Sequence, residues 1–183
     1  MKKFIKIIMA LLLLMVSACS AKEEEVAEKV LEGGLKDTLT TMFFSYSVNE
    51  AYLINEINER IPEEGKQFLV IDVTVNNTDD PENEEAKDLT MMDTDLYISY
   101  EGGEIDAISA YGHEALVEGE LPNKYDIAPG ESKSGKMVFV VPADQKSFTL
   151  KTQDLYTSSE EEGVIEGDIY SITFTPEQRE VSE

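Results

Sequence analysis

The residues of this chain that could do chemistry are few, and the densest group of them is acidic. Residues 79–85, with the sequence Asp-Asp-Pro-Glu-Asn-Glu-Glu, form one short loop together with the nearby Asp88. Calcium takes about six to eight oxygen ligands and accepts carboxylates readily, but the EF-hand pattern D-x-[DN]-x-[DN]-G is missing here. Two interpretations therefore stay open, a solvated acidic loop or a calcium site. The ligands of such a site would be Asp79, Asp80, Glu82, Glu84, Glu85 and Asp88.

Other catalytic or ligating groups are scarce. His113 is the only histidine and Cys19 the only cysteine, so a zinc site or a histidine-activated nucleophile lacks partners. The phosphate-binding motif GxxxxGK[ST] and the nucleophile motif GxSxG do not occur. A chain with 38 acidic residues always contains carboxylate pairs, so an envelope hydrolase stays as a third, weaker hypothesis. We predict a protein that is not an enzyme and needs no cofactor beyond the calcium considered above.

The single cysteine ends a segment with the organisation of an export signal. Lysines near the start precede an apolar run from Ile7 to Val16, and Ser17-Ala18 lead directly into Cys19. The run is shorter than the roughly 20 apolar residues that a membrane-spanning helix needs, and it fits the apolar region of a signal peptide. An ordinary signal cleaved after Ala18, without lipidation, is the alternative.

Small residues followed at once by a cysteine resemble the lipobox of bacterial lipoproteins. The resemblance implies that Cys19 receives a diacylglyceryl group and becomes the first residue of the mature protein. Stable anchoring generally needs two hydrophobic or electrostatic signals, and two acyl chains provide them. We therefore expect residues 1–18 to be a signal peptide. Cys19 would then tether the protein to the extracellular face of the cell membrane.

Composition indicates one acidic domain behind this anchor. The chain has 183 residues and a formal net charge of −23, and enough of it remains after residue 18 for one domain with a core. Such acidity excludes nucleic acid as a partner, because phosphates require a basic surface. It also opposes contact of the whole body with anionic lipid. With its cysteine at the lipid site, the mature domain has no internal disulfide.

Polar segments flank the expected domain. Residues 19–35 contain the charge run Lys22-Glu23-Glu24-Glu25 and end near Gly33-Gly34, which is typical of a flexible tether. Residues 177–183 form a polar tail. These boundaries predict a folded domain over residues 36–176.

Period-two alternation dominates that domain. The clearest strand runs from Gln67 to Asn76, and another runs from Gly135 to Val141. The second has apolar residues on both faces, so we predict a central strand that is covered on both sides. Pro129-Gly130 predicts a type II turn before it. About seven to nine short strands with turn signals between them favour an all-β fold, an immunoglobulin-like antiparallel β-sandwich.

Three segments of the chain, taken together, point to a family. They are residues 65–78, which close on an Asn-rich turn, residues 127–142 around Pro129-Gly130, and residues 144–150. Together they resemble the immunoglobulin-like domain of unknown function found on lipoproteins of Gram-positive bacteria. That domain is similar in fold to a secreted mycobacterial immunoprotective antigen. The resemblance covers about residues 36–176 and implies an extracellular sandwich without established catalytic residues.

These inferences favour a membrane-anchored extracellular protein whose domain binds or assists an unidentified envelope or extracellular protein. Loops at the ends of a sandwich and open strand edges are the usual contact sites. Residues 76–88 and 111–125 are the first candidates for such contact. The alternative function is calcium binding by an envelope protein through residues 79–88.

Overall fold

The computed structural model describes residues 29–107, 114–156 and 164–180, which contain twelve β-strands. No helix long and apolar enough to cross a membrane lies in these ranges. The number of strands exceeds the expected one because several strands have only two to five residues. The strands are β1 (Val30–Gly34), β2 (Thr38–Thr40), β3 (Phe44–Ile54), β4 (Lys66–Asn77), β5 (Leu89–Met92), β6 (Tyr97–Tyr100), β7 (Gly103–Ile105), β8 (Lys124–Ile127), β9 (Ser132–Pro142), β10 (Phe148–Tyr156), β11 (Ile165–Phe174) and β12 (Glu177–Gln178).

The strands form two large sheets and one small one. The first sheet has the order β1-β11-β10-β6-β7, and the second has the order β12-β3-β4-β9, with β2 also paired to β3. Strands β5 and β8 make a separate two-stranded sheet. Most neighbours are antiparallel, but β1 runs parallel to β11 and β12 runs parallel to β3.

The main hydrophobic core lies between the two large sheets. It joins fully buried side chains of the second sheet, such as Tyr46 and Ile71, to those of the first, such as Ile98, Leu150 and Ile172. In β4 the alternation is complete, because every second residue from Leu69 to Val75 enters this core. The predicted all-β sandwich is therefore confirmed.

A smaller core covers the outer face of the second sheet. Phe68, Val70 and Val138 point away from the main core and pack with Ile57 and Leu116. Strand β9 is thus covered on both faces, as its sequence predicts. It is nevertheless an edge strand of its sheet, so the prediction of a central position is wrong. Apolar residues on both faces of a strand indicate that other parts of the protein cover those faces. They do not indicate whether a strand pairs on one side or on both, because pairing depends on backbone hydrogen bonds.

The folded domain begins earlier than its sequence predicts. Residues 30–34 form β1, which pairs with β11, and Leu31 packs against the main core. The backbone N–H of Lys29 donates to Asp168 at 3.1 Å. The predicted tether is therefore wrong over residues 30–34, and the predicted polar tail is wrong over residues 177–178, which pair with β3. Strands this short show little alternation in their sequence, so they are hard to predict. They form because a neighbouring strand offers an open edge with which they pair.

Two ends of the sandwich follow from the strand registers within each sheet and from the hydrogen bond of the Met42 N–H to Asp154, which joins the two sheets. At one, called the tether end, β1 begins at Val30, β10 ends at Tyr156 and β4 ends at Asn77. At the other, called the far end, Lys66 of β4 pairs with Pro142 of β9. Strand β4 has 12 residues, so the two ends lie about 36 Å apart at roughly 3.3 Å for each step between residues.

Candidate functional site

The acidic loop follows β4 at the tether end, and its side chains engage the local backbone. An oxygen of Asp79 accepts a hydrogen bond from the N–H of Lys87 at 3.3 Å, and an oxygen of Asp80 accepts one from the N–H of Glu82 at 2.9 Å. The described ranges contain no group of three or more Asp, Glu, His or Cys side chains placed to hold a metal. The structure therefore does not place the predicted calcium ligands around a common metal position. All six are solvent-exposed: Asp79, Asp80, Glu82, Glu84, Glu85 and Asp88.

A buried asparagine explains how this loop is held. The side-chain amide of Asn77 donates to the carbonyl oxygens of Lys87 at 2.9 Å and Ile127 at 3.0 Å. Its own oxygen accepts from the N–H of Asp79 at 3.0 Å. The Asn-rich turn therefore fixes the loop to β8, and its carboxylates stay on the solvent side.

Two of the chemically reactive residues singled out in the sequence lie outside the described residues. They are Cys19, the predicted lipidation site, and His113. The lipidation of Cys19 stays a prediction. Of the contact segment 111–125, the structure describes residues 114–125. Among these, Leu116 lines a groove that the sequence alone did not single out.

The groove has a volume of about 550 Å³ and lies towards the far end, beside the edge strand β9. Its apolar walls come from the β3–β4 loop, the outer face of the second sheet, the end of β7 and the segment 114–121, called the cover segment. Ile61, at the lip, is 71% exposed. The apolar lining consists of Ile61, Pro62, Phe68, Ile105, Leu116 and Val140.

A tight turn in the β3–β4 loop builds one wall of the groove. Ile57 and Arg60 exchange two backbone hydrogen bonds at 3.0 and 2.9 Å. Asn58 and Glu59 between them have φ angles of 50° and 64°, the left-handed conformation in which asparagine is tolerated best. The Asn58 side chain donates to the carbonyl of Leu116 at 2.7 Å, which ties the turn to the cover segment.

The cover segment is held by its own acid and by β9. An oxygen of Glu120 accepts from the N–H groups of Leu116 at 2.6 Å and Val117 at 3.3 Å. Lys136 of β9 donates its N–H to the carbonyl of Gly119 at 2.8 Å. A Cβ atom at Gly135 would lie 2.8 Å from that same carbonyl, so the close approach requires glycine.

The charged residues that line the groove are two bases and two acids: Arg60, Lys66, Glu63 and Asp106. Lys66 forms an ion pair with Glu63 at 3.1 Å. Arg60 is exposed, and its guanidinium makes no ion pair within the described part of the chain. An apolar hollow with an unpaired cation at its margin favours a ligand with an apolar body and an anionic group. The signal in the sequence is Ile61, an apolar residue between Arg60 and Pro62 in a polar loop.

A separate buried polar group lies next to β5. Asp93 is 6% exposed, and one of its carboxylate oxygens has no hydrogen-bond partner within the described residues. Asp95 accepts from the N–H of Met92 at 2.7 Å; burial, and the charge of Asp93, raise the pKa of Asp95. Burial, with both acids nearby, raises the pKa of Tyr125 to about 12. Asp95 and Tyr125 therefore keep their protons to a higher pH than free side chains do.

Most of this chain matches a known protein family. Residues 34–162 match the family described as Domain of unknown function (DUF4352). The chain belongs to the DUF4352 family. The DUF4352 match covers all the residues that line the groove and most of the sandwich, and it confirms the predicted membership in a family of domains of unknown function. No curated protein matches the chain.

Solved structures resemble this DUF4352 domain at low sequence identity. The yjhA protein of Bacillus subtilis has a TM-score of 0.50 and 15% identity, covering 78% of this chain and 99% of its own. A candidate lipoprotein of Staphylococcus aureus has a TM-score of 0.46 and 14% identity, covering 81% and 97%. An uncharacterized β-sandwich protein of Clostridium difficile has a TM-score of 0.44 and 15% identity, covering 80% and 95%. The likeness to yjhA shows a shared fold; similarity to the mycobacterial antigen stays a prediction.

Proposed function

We propose that this DUF4352 protein is a lipoprotein held at the extracellular face of the cell membrane by acylated Cys19. Its sandwich is a binding module without catalytic activity. The observation that carries the proposal is the relative position of tether and groove. The chain enters the sandwich at the tether end through Lys29 and Val30, whereas the groove lies towards the far end. The groove therefore lies towards the end of the sandwich opposite the point of attachment.

The chemistry of the groove favours an extended segment of an envelope or extracellular protein. Its apolar lining suits an aliphatic or aromatic side chain, and the volume lies within the roughly 300–1,000 Å³ of typical ligand pockets. The Arg60 guanidinium would pair with a carboxylate of the partner, a geometry that arginine forms well. Exposed Ile61 would add apolar contact at the lip.

The anchor is tested by the substitution Cys19→Ala, with Ser20→Ala as the matched control. Intact mass of the wild-type product and of Ser20→Ala should show a chain that begins at Cys19 and carries a diacylglyceryl group. The Cys19→Ala protein should leave the membrane fraction or stay there only with its signal uncleaved. A wild-type product with an unmodified thiol would contradict the proposal.

The groove is tested by placing a photo-crosslinking amino acid at Ile61 in cells. Leu35 is the control position, because it is also an exposed apolar residue but lies in the β1–β2 connection, away from the groove. We expect a discrete protein adduct from position 61, its loss on Arg60→Glu, and no such adduct from position 35. Equal adducts at both positions, or an adduct indifferent to Arg60→Glu, would reject this groove as the binding site.

A further inference from the structure

Exposed apolar side chains gather at the tether end of the sandwich. The β2–β3 turn contributes Met42 and Phe43, β10 ends with Leu155 and Tyr156, and Val164 precedes β11. Their exposures reach 65% at Val164 and 61% at Met42. We call these five residues the apolar collar. Soluble domains keep contiguous apolar surface small, so such a collar indicates a contact surface.

A hydrogen bond, a shared depression and strand pairing bring the five collar residues to the same end of the sandwich. The N–H of Met42 donates to the Asp154 carboxylate at 3.2 Å, which brings the β2–β3 turn against the end of β10. Phe43 and Leu155 line the same depression of about 320 Å³. Tyr156 pairs with Ile165, the residue after Val164.

The position of the collar relative to the anchor identifies its occupant. Lys29 donates its N–H to Asp168 and accepts from the N–H of Ile169, so the folded domain begins at the tether end. Residues 20–28 separate Lys29 from Cys19. Ten residue steps span at most about 35 Å even when fully extended. An acylated Cys19 therefore confines the collar to the neighbourhood of the bilayer.

We propose that the apolar collar docks into the interfacial region of the membrane to which the protein is anchored. The inference rests on the proposed lipidation of Cys19. It adds that the domain takes a fixed orientation on the membrane to which Cys19 tethers it. Met42, Phe43, Leu155 and Val164 supply apolar surface, and Tyr156 is suited to an interface, with an apolar ring and a polar hydroxyl. Docking at this end directs the groove outward.

Charge limits the depth of docking. The chain carries a net charge of −23, and the connection between Tyr156 and Val164 contains Glu160-Glu161-Glu162. An anionic lipid surface repels these groups within about one Debye length. The contact is therefore shallow, and added salt strengthens it by screening the repulsion. Attachment through basic residues would show the opposite dependence.

The absence of tryptophan from the sequence gives a direct test with the lipidated mature protein in vesicles. The vesicles contain phosphatidylcholine and phosphatidylglycerol with brominated acyl chains, which quench tryptophan on contact. We expect quenching and a blue shift of emission for Phe43→Trp and for a second variant, Leu155→Trp. The control Ile61→Trp, an exposed position towards the far end, should keep its emission, and salt should increase quenching at the collar.

Failure of docking and failure of anchoring give different results. Protein that floats with the vesicles but shows no quenching at either collar position overturns the docking proposal and leaves the anchor intact. Equal quenching at Ile61→Trp also overturns it, because the domain would then have no preferred orientation. Protein that does not float lacks the anchor, and the docking proposal falls with it.

Discussion

The carboxylate of Asp154 accepts a hydrogen bond from the backbone N–H of Met42 at 3.2 Å, although the residues are 112 positions apart in the chain. The same carboxylate accepts one from the hydroxyl of Tyr170 at 3.0 Å. Asp154 is only 5% exposed. One buried acid thus joins β10, β11 and the β2–β3 turn. It thereby holds the collar residues of that turn, Met42 and Phe43, against the first sheet.

The substitution Asp154→Ala should destabilise the protein. It leaves the buried hydroxyl of Tyr170 without its acceptor, and a buried unsatisfied group costs about 1–3 kcal/mol. The N–H of Met42 also loses its acceptor, but Met42 is exposed and water can replace the bond. Thermal unfolding should show a clear fall in Tm, with a smaller fall for Asp154→Asn, which keeps an acceptor oxygen. Asp144→Ala, at an exposed aspartate, is the control. An unchanged Tm for Asp154→Ala would show that these hydrogen bonds add no stability.

The substitution Gly135→Ala should detach the cover segment from β9. The added Cβ would lie 2.8 Å from the carbonyl oxygen of Gly119 and 2.7 Å from a side-chain carbon of Leu121. Overpacking of this kind costs about 1–3 kcal/mol. Hydrogen exchange of residues 114–121 should accelerate, with little change elsewhere. Gly34→Ala is the control, because its Cβ would meet only an oxygen of Asp37 at 3.6 Å; equal exchange in both variants would contradict the expected clash.

Stability should fall at alkaline pH, partly through Tyr125. Its pKa is raised to about 12 by burial and by the nearby acids, whereas an unfolded tyrosine ionises near pH 10. The stabilisation is therefore complete below about pH 10 and is lost as the pH rises towards 12. Each pKa unit corresponds to about 1.4 kcal/mol. Chemical unfolding of Tyr125→Phe should show a shallower loss between these pH values, and Tyr156→Phe, at a more exposed tyrosine, should follow the wild type.

Calcium should leave the thermal stability unchanged. The acidic loop does not gather its carboxylates, and Asp79 and Asp80 accept local backbone hydrogen bonds. A ligand that binds only the folded state raises Tm with concentration, so a titration of calcium, followed by a chelator, measures the effect directly. A calcium-dependent rise that disappears in Asp79→Asn would restore the calcium hypothesis.

Local patterns predicted the elements whose residues fix their own conformation. The turn at Pro129-Gly130 forms as expected: Gly130 has a φ of 71°, and the N–H of Glu131 bonds to the carbonyl of Ala128 at 3.0 Å. Strand β4 follows its alternation throughout. In each case the conformational preference and the burial pattern belong to consecutive residues.

Elements that depend on distant partners could not be predicted in this way. Strand β1 forms because the edge of β11 is open to it, and β9 lies at an edge despite its two apolar faces. The groove joins a turn around Asn58, the cover segment and the end of β7. None of these segments carries a distinctive motif, so the sequence does not predict that they lie next to one another.

Neighbouring residues specify the all-β class, the main strands and turns, and the acidic character of the protein, because alternation, turn residues and charge can be read along the chain. The folded structure is needed to show which strands share an edge, where the groove lies, and that the exposed apolar residues Met42, Leu155 and Val164 lie at the end where the chain enters. These relationships arise from contacts between residues far apart in the chain, from 58 positions for Asn58 and Leu116 to 112 for Met42 and Asp154. The backbone hydrogen bonds and burial that specify them exist only in the folded chain.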